Sequence, residues 1–324
     1  MPTPNRTPTR SSDAGVPRTP APAPPKGPAP LRATFRLLET AAPSVAAALA
    51  ERLWFRLPPR PSDERRARHA PPGGRRLTVE WTHGALRGVT YGPADAPTAY
   101  LVHGWGGWWQ QLGAHVEPLL DAGYRVVAYD APSHGASDPG GSGPRSTSLI
   151  EMAEGLTAVV RQEGPADLVV AHSVGAVVSL WSAADHGADD GTMGEEAPDY
   201  AFIAPASTLL SMVQMFERSL DVGRRSQSLL LQRVEQRFHR SVDEFEIVNL
   251  AARVLEGATT RQPGLLTVHD PMDHETPVSG SLRLAESWPE AELSLVSGLG
   301  HRRLLWDPDV VASVADFAKR RLHR

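Results

Sequence analysis

Ser173 stands in the run Ala171-His172-Ser173-Val174-Gly175, between a short apolar stretch (167–170) and a helix-forming stretch rich in small residues (174–186). A serine at a strand-to-helix junction has two readings. Its oxygen caps the helix, or its hydroxyl is a nucleophile presented on a sharp turn. A nucleophilic serine needs a histidine to take its proton and a carboxylate to orient that histidine. Both types occur downstream. His269, Asp270, Asp273, His274 and Glu275 crowd one loop, and His301 follows Gly298-Leu299-Gly300. With two histidines and three carboxylates, the crowded loop also has the composition of a metal site. Upstream, His103-Gly104-Trp105-Gly106-Gly107 and the run from Asp130 to Ser137 each follow an apolar stretch.

The elements that must hold these residues are legible from periodicity. Short β-rich runs fall at 77–81, 86–91, 98–103, 124–129, 167–171, 200–204, 265–269 and 292–296. Helical patterns lie near 110–122, 146–163, 174–186, 280–288 and 308–322. Two antiparallel-style strands followed by repeated β-α units predict a mostly parallel sheet covered by helices on both faces. The stretch 206–260 is helical and too long for a simple crossover, so it is expected to form an inserted cap. In such sheets ligands gather at the carboxyl ends of the strands, where each chemistry-bearing run above is placed.

Composition narrows the classes. The 324 residues contain no cysteine, which excludes a disulfide scaffold, a thiolate nucleophile and an iron–sulfur cluster. A formal net charge of −4 gives no reason to expect nucleic-acid binding. No apolar run approaches the ~20 residues that span a bilayer, and the expected location is the cytoplasm. Residues 1–30, rich in Pro, Ala, Thr, Ser and Arg, read as an unstructured tail. Between 31 and 76 comes an N-terminal segment of a different texture. Phe35, Leu38, Ala42, Val45, Leu49, Leu53 and Trp54 recur at helical spacing, with Pro43 dividing two helices. A basic, proline-rich linker (58–75) follows.

The run around Ser173 resembles the nucleophile elbow, Gly-x-Ser-x-Gly, of the α/β-hydrolase family, with Ala171 in place of the first glycine. The resemblance extends over about 77–322 and rests on five sites in the family's chain order. It implies an α/β-hydrolase fold of eight strands with a cap, and it assigns roles. Ser173 is the expected nucleophile and His301, after the last strand, the expected base. Members of the family place the acid four residues before a proline, which selects Asp273, with Asp270 as the understudy. The His-Gly turn after the third strand implies backbone N–H donors at Trp105 and Val174 for an oxyanion. Asp130 and His134 match a loop signature of the family and are expected to brace that loop by hydrogen bonds. The family explains the crowded loop without a metal, and no cofactor is implied.

A serine nucleophile argues against the aspartate-dependent dehalogenases and epoxide hydrolases of this fold. The expected activity is hydrolysis of a carboxylic ester with a small apolar acyl or alkyl group, through an acyl-enzyme. The alternatives are a cofactor-free perhydrolase or haloperoxidase-like activity, a thioesterase, or a non-catalytic binding protein on the same fold. Trp108, Trp109, Met212, Met215 and Phe216 are the expected lining of the substrate pocket.

Overall fold

The computed structural model describes residues 26–190, 197–258 and 260–322, with backbone only for 186–190. Its centre is one eight-stranded sheet in the order β1-β2-β4-β3-β5-β6-β7-β8. The strands are β1 (Arg75–Trp81), β2 (Gly84–Tyr91), β3 (Thr98–Val102), β4 (Arg125–Tyr129), β5 (Leu168–His172), β6 (Asp199–Ile203), β7 (Leu265–His269) and β8 (Ala291–Leu295). β1, β2 and β4 pair antiparallel, and every pairing from β4 to β8 is parallel. Every residue of β3, β4, β5, β6 and β7 is buried, as continuous apolar runs covered on both faces require.

The helices are α1 (Ala29–Ala41), α2 (Pro43–Trp54), the short α3 (Asp63–Ala67), α4 (Val116–Asp121), α5 (Leu149–Glu163), α6 (Val174–Asp190), α7 (Leu209–Leu220), α8 (Arg224–Phe238), α9 (Ile247–Gly257), α10 (Ser279–Ser287), the one-turn α11 (Gly300–Arg303) and α12 (Pro308–Leu322). Local chemistry sets several starts. Pro43 opens α2, where a missing N–H costs nothing. Ser148 and Thr208 accept hydrogen bonds from the N–H groups of Glu151 and Ser211 at the heads of α5 and α7. The stretch expected as a helix near 110–122 begins as a 3₁₀ turn (Trp109–His115) before α4. Among the described residues, no helix is long and apolar enough to cross a membrane.

Two expectations need correction. Within the predicted tail, residues 1–25 lie outside the described residues, but 26–30 belong to the fold. The Lys26 ammonium lies 3.0 Å from Asp221, the Gly27 N–H donates to the Ser219 carbonyl, and α1 starts at Ala29. Proline-rich composition misled because Pro28 and Pro30 sit where a helix start tolerates them. The helices of the segment 31–76 join the fold as well. α1 and α2 pack on α7 and α8. Phe35, Ala46, Ala47 and Ala50 are fully buried, and the alanines let α8 approach closely with its stripe Ser226, Leu230, Val234 and Phe238. Polar contacts close the seam. Glu39 accepts from the N–H groups of Arg225 and Ser226 at the head of α8, and Asp221 takes Lys26 and Arg32. The predicted insertion 206–260 therefore divides. α7 and α8 join α1 and α2, whereas α9 returns to pack on α6 and α10 beside the sheet.

Candidate active site

At the end of β5 the chain turns sharply into α6, and Ser173 occupies the turn at φ 55°, the left-handed region that costs a non-glycine residue energy. Neighbours make this geometry possible. A Cβ on Gly175 would stand 2.6 Å from the Val102 carbonyl, and one on Gly104 would stand 2.9 Å from the Ser173 Cβ. Both glycines therefore let β3 and its loop pass against the turn. Val174 is buried at the head of α6, where its N–H has no carbonyl one turn back to bond.

The loop after β3 lies against the loop after β4, and two neutral histidines join them. The Ala131 N–H donates to His103 Nε2 at 3.0 Å, so His103 carries its proton on Nδ1 and donates to the Gly104 carbonyl. The Gly106 N–H donates to His134 Nε2 at 3.0 Å, while His134 Nδ1–H donates to Pro132. Burial holds both rings below the usual histidine range, His134 at about 3. Asp130 accepts from the N–H groups of Trp109 and Ala136. Asp130 and His134 thus brace the loop. With Gly106 engaged and the Gly107 N–H donating to Gly104, the Trp105 N–H has no protein partner among the described residues.

Asp273 and His301 meet at 2.7 Å through Oδ2 and Nδ1. Burial pushes the Asp273 carboxyl up. Its bond to His301 and the N–H groups of Thr276 and Glu275 outweigh that and bring it down to about 2. The Thr276 hydroxyl adds a fourth donor at 2.8 Å. Asp270 plays another part. Its Oδ2 accepts from the N–H groups of Leu299 and Gly300 and its Oδ1 from Met272, tying the β7 loop to the loop that carries His301. His269 faces Ser281 and Thr276 and is kept neutral by burial. Glu275 pairs with Arg302 at 3.1 Å. The acidic loop is thus spent on backbone and histidine contacts, and no group of three or more potential metal ligands occurs among the described residues.

Ser173 and His301 line one cavity of about 420 Å³. Trp105, Trp108 and Met212 line it too. Three expected lining residues do not. Trp109 is 6% exposed in the core below, its ring against Tyr91. α7 offers Leu209 and Met212 to the cavity, and Met215 and Phe216 lie a turn farther along, ~5 Å on. Phe216 instead packs edge-on against Trp54.

Sequence reasoning missed three contributors. Trp54, Phe55, Pro58, Pro59, Pro61 and Arg65 form a wall of the cavity, and Pro58 lies directly over Gly106. Proline clusters beside aromatic residues were the available signal. His172, tilted on the His301 ring at 4.6 Å between centroids, reaches the His301 carbonyl at 3.1 Å and is held neutral by burial. Thr276 bridges Asp273, His301 and the Ala204 carbonyl.

Known structures share this architecture. An esterase from Pyrococcus furiosus superimposes with TM-score 0.57 at 16% identity, covering 83% of this chain and 98% of its own. An esterase from Rhodococcus sp. ECU1013 gives TM-score 0.52 at 20% identity over 76% and 98% of the two chains. The monoacylglycerol lipase of Paleococcus ferrophilus gives 0.50 at 18% identity over 73% and 99%. In sequence, 91 residues are 38% identical to the dihydrolipoyllysine-residue acetyltransferase component of the acetoin cleaving system of Cupriavidus necator, which is 28% of this chain and 23% of that relative. The profile described as the alpha/beta hydrolase family matches residues 99–314. The chain belongs to the alpha/beta hydrolase family.

Proposed function

We propose that the chain is a serine hydrolase that cleaves carboxylic esters with small, apolar acyl or alkyl groups through an acyl-enzyme. The observation that carries this reading is the buried Asp273–His301 pair opening onto the same cavity as the strained Ser173. Because Asp273 accepts from Nδ1, the His301 Nε2 lone pair is free to take the serine proton. Ser173 Oγ then attacks the ester carbonyl. The developing oxyanion is received by the N–H groups of Trp105 and Val174, and the Val174 donor lies at the positive end of α6. His301 returns the proton to the leaving alcohol. It next takes a proton from water, which attacks the acyl carbon and frees Ser173. The aromatic and proline-rich wall, at a volume ordinary for small-ligand sites, favours an apolar substrate.

A fluorophosphonate label followed by peptide mapping tests both activity and nucleophile. Labelling is expected at Ser173 and absent in Ser173→Ala, which should also lose hydrolysis of short p-nitrophenyl esters while keeping its Tm. Turnover that survives the substitution refutes the reading.

A further inference from the structure

Beside the catalytic cavity, and separated from it by Phe55, lies a second, solvent-open cavity of about 650 Å³ between α2, α8 and the loop 142–146. Its lining brings together Arg52, Arg56, Arg145, Arg233 and Arg237, with Glu51 as the one carboxylate. In a chain whose formal net charge is −4, this is a concentrated positive field. Three of the arginines have local partners. Arg233 pairs with Glu51 at 2.5 Å, Arg237 donates to Ser142 Oγ at 3.0 Å, and Arg145 reaches the Leu57 carbonyl at 3.4 Å. Arg52 and Arg56 make no side-chain hydrogen bond or ion pair among the described residues. Like charges held together without compensation repel, so the folded seam between α2 and α8 carries an electrostatic cost that a bound anion would remove.

The geometry points to a binding site for a phosphate group in this cavity. Several guanidinium groups, each a planar fork of donors, suit an anion with more than one charge and several acceptor oxygens better than a lone carboxylate. The site also has a route to the catalytic cavity. Arg237 lies 4.4 Å above the Phe55 ring, and Phe238 meets the same ring edge-on at 5.6 Å. A phosphate held by residues of α2 and α8 would fasten the two helices across Phe55 and steady the wall it presents to Ser173.

The probe is pyrophosphate, titrated calorimetrically into the full chain at fixed ionic strength, with no ester present, so the outcome is independent of the proposed hydrolysis. The expected result is saturable binding with a rise in Tm. In Arg52→Gln/Arg56→Gln, which removes two charges and keeps the apolar stems, affinity should fall about tenfold or more. Tm without pyrophosphate should equal or exceed the parent's, since neither side chain has an internal partner to lose and their removal relieves the repulsion, and each single variant should lose part of the affinity. A second arm uses phosphatidylcholine vesicles with and without phosphatidic acid. Recruitment by phosphatidic acid that the double variant loses, without binding of free pyrophosphate, supports the site and assigns the phosphate to a lipid headgroup. Binding of neither probe, or binding that the double variant retains in full, overturns it.

Discussion

Replacing Asp273 and Asp270 separately by asparagine separates the two aspartates of the β7 loop, which differ by three positions and not at all in chemistry. In Asp273→Asn the side-chain NH₂ can replace Oδ2 opposite His301. A donor then faces Nδ1–H, the imidazole is driven to its other tautomer, and Nε2 can no longer accept the Ser173 proton. The corresponding change in a serine protease costs ~10⁴ in kcat, and a loss of that order is expected here. Asp273 also bears on stability. Its carboxyl is lowered from 3.8 to about 2, which at 1.36 kcal/mol per unit is about 2 kcal/mol. A depressed carboxylate contributes stability that is present above its unfolded pKa. That contribution is lost as pH falls from about 4 toward 2, and the variant should lack this acid-sensitive part. Asp270→Asn instead weakens three backbone contacts, two of which pin the His301 loop. Its expected cost is about 2 kcal/mol of stability and no more than ~10² in kcat from misplacement. The assay is kcat on a p-nitrophenyl ester beside thermal unfolding from pH 2 to 8. If Asp273→Asn keeps kcat within tenfold of the parent, or the two variants lose equally, the assignment of roles is wrong.

Three further outcomes are expected. Glu217 is buried on α7 with Oε1 unpartnered, and burial raises its carboxyl from 4.5 to about 7 against the pull of Arg218. Its neutral form favours the fold below pH 4.5, and that advantage fades as pH rises to 7. Glu217→Gln should therefore raise stability at pH 8 by up to ~3 kcal/mol and leave it unchanged at pH 4.5, as denaturant titration at both pH values would show. Phe55→Leu removes the edge contact with Phe238, worth ~1 kcal/mol, and widens the catalytic cavity. The ratio of kcat/KM for octanoyl over acetyl esters should rise, and an unmoved ratio would show that Phe55 does not bound the acyl group. Excess EDTA should leave ester hydrolysis intact, because the proposed steps use no metal. Loss of activity restored by zinc or manganese would return the His269–Glu275 loop to a metal role.

The sheet was legible because its central strands are continuous apolar runs, a pattern that depends only on neighbours in the chain. Ser173, with small residues two before and two after, could be read as an elbow for the same reason, and the order of Ser173, Asp273 and His301 matched a known family's. Folding decided the matters that depend on distant pairs. Which of two aspartates meets His301 turned on the direction each carboxylate takes in one loop, with Asp270 drawn to the Leu299 and Gly300 N–H groups and Asp273 to Nδ1. Trp108 and Trp109 are adjacent and alike, yet only the first lines the cavity, because Asp130 holds the Trp109 N–H and turns its ring into the core. The role of residues 31–61 was likewise out of reach. Their apolar stripe announced helices that must bury a face, but the partners, α7 and α8, are some 170 residues away in the chain. Local periodicity records that a surface will be covered; only tertiary packing selects what covers it.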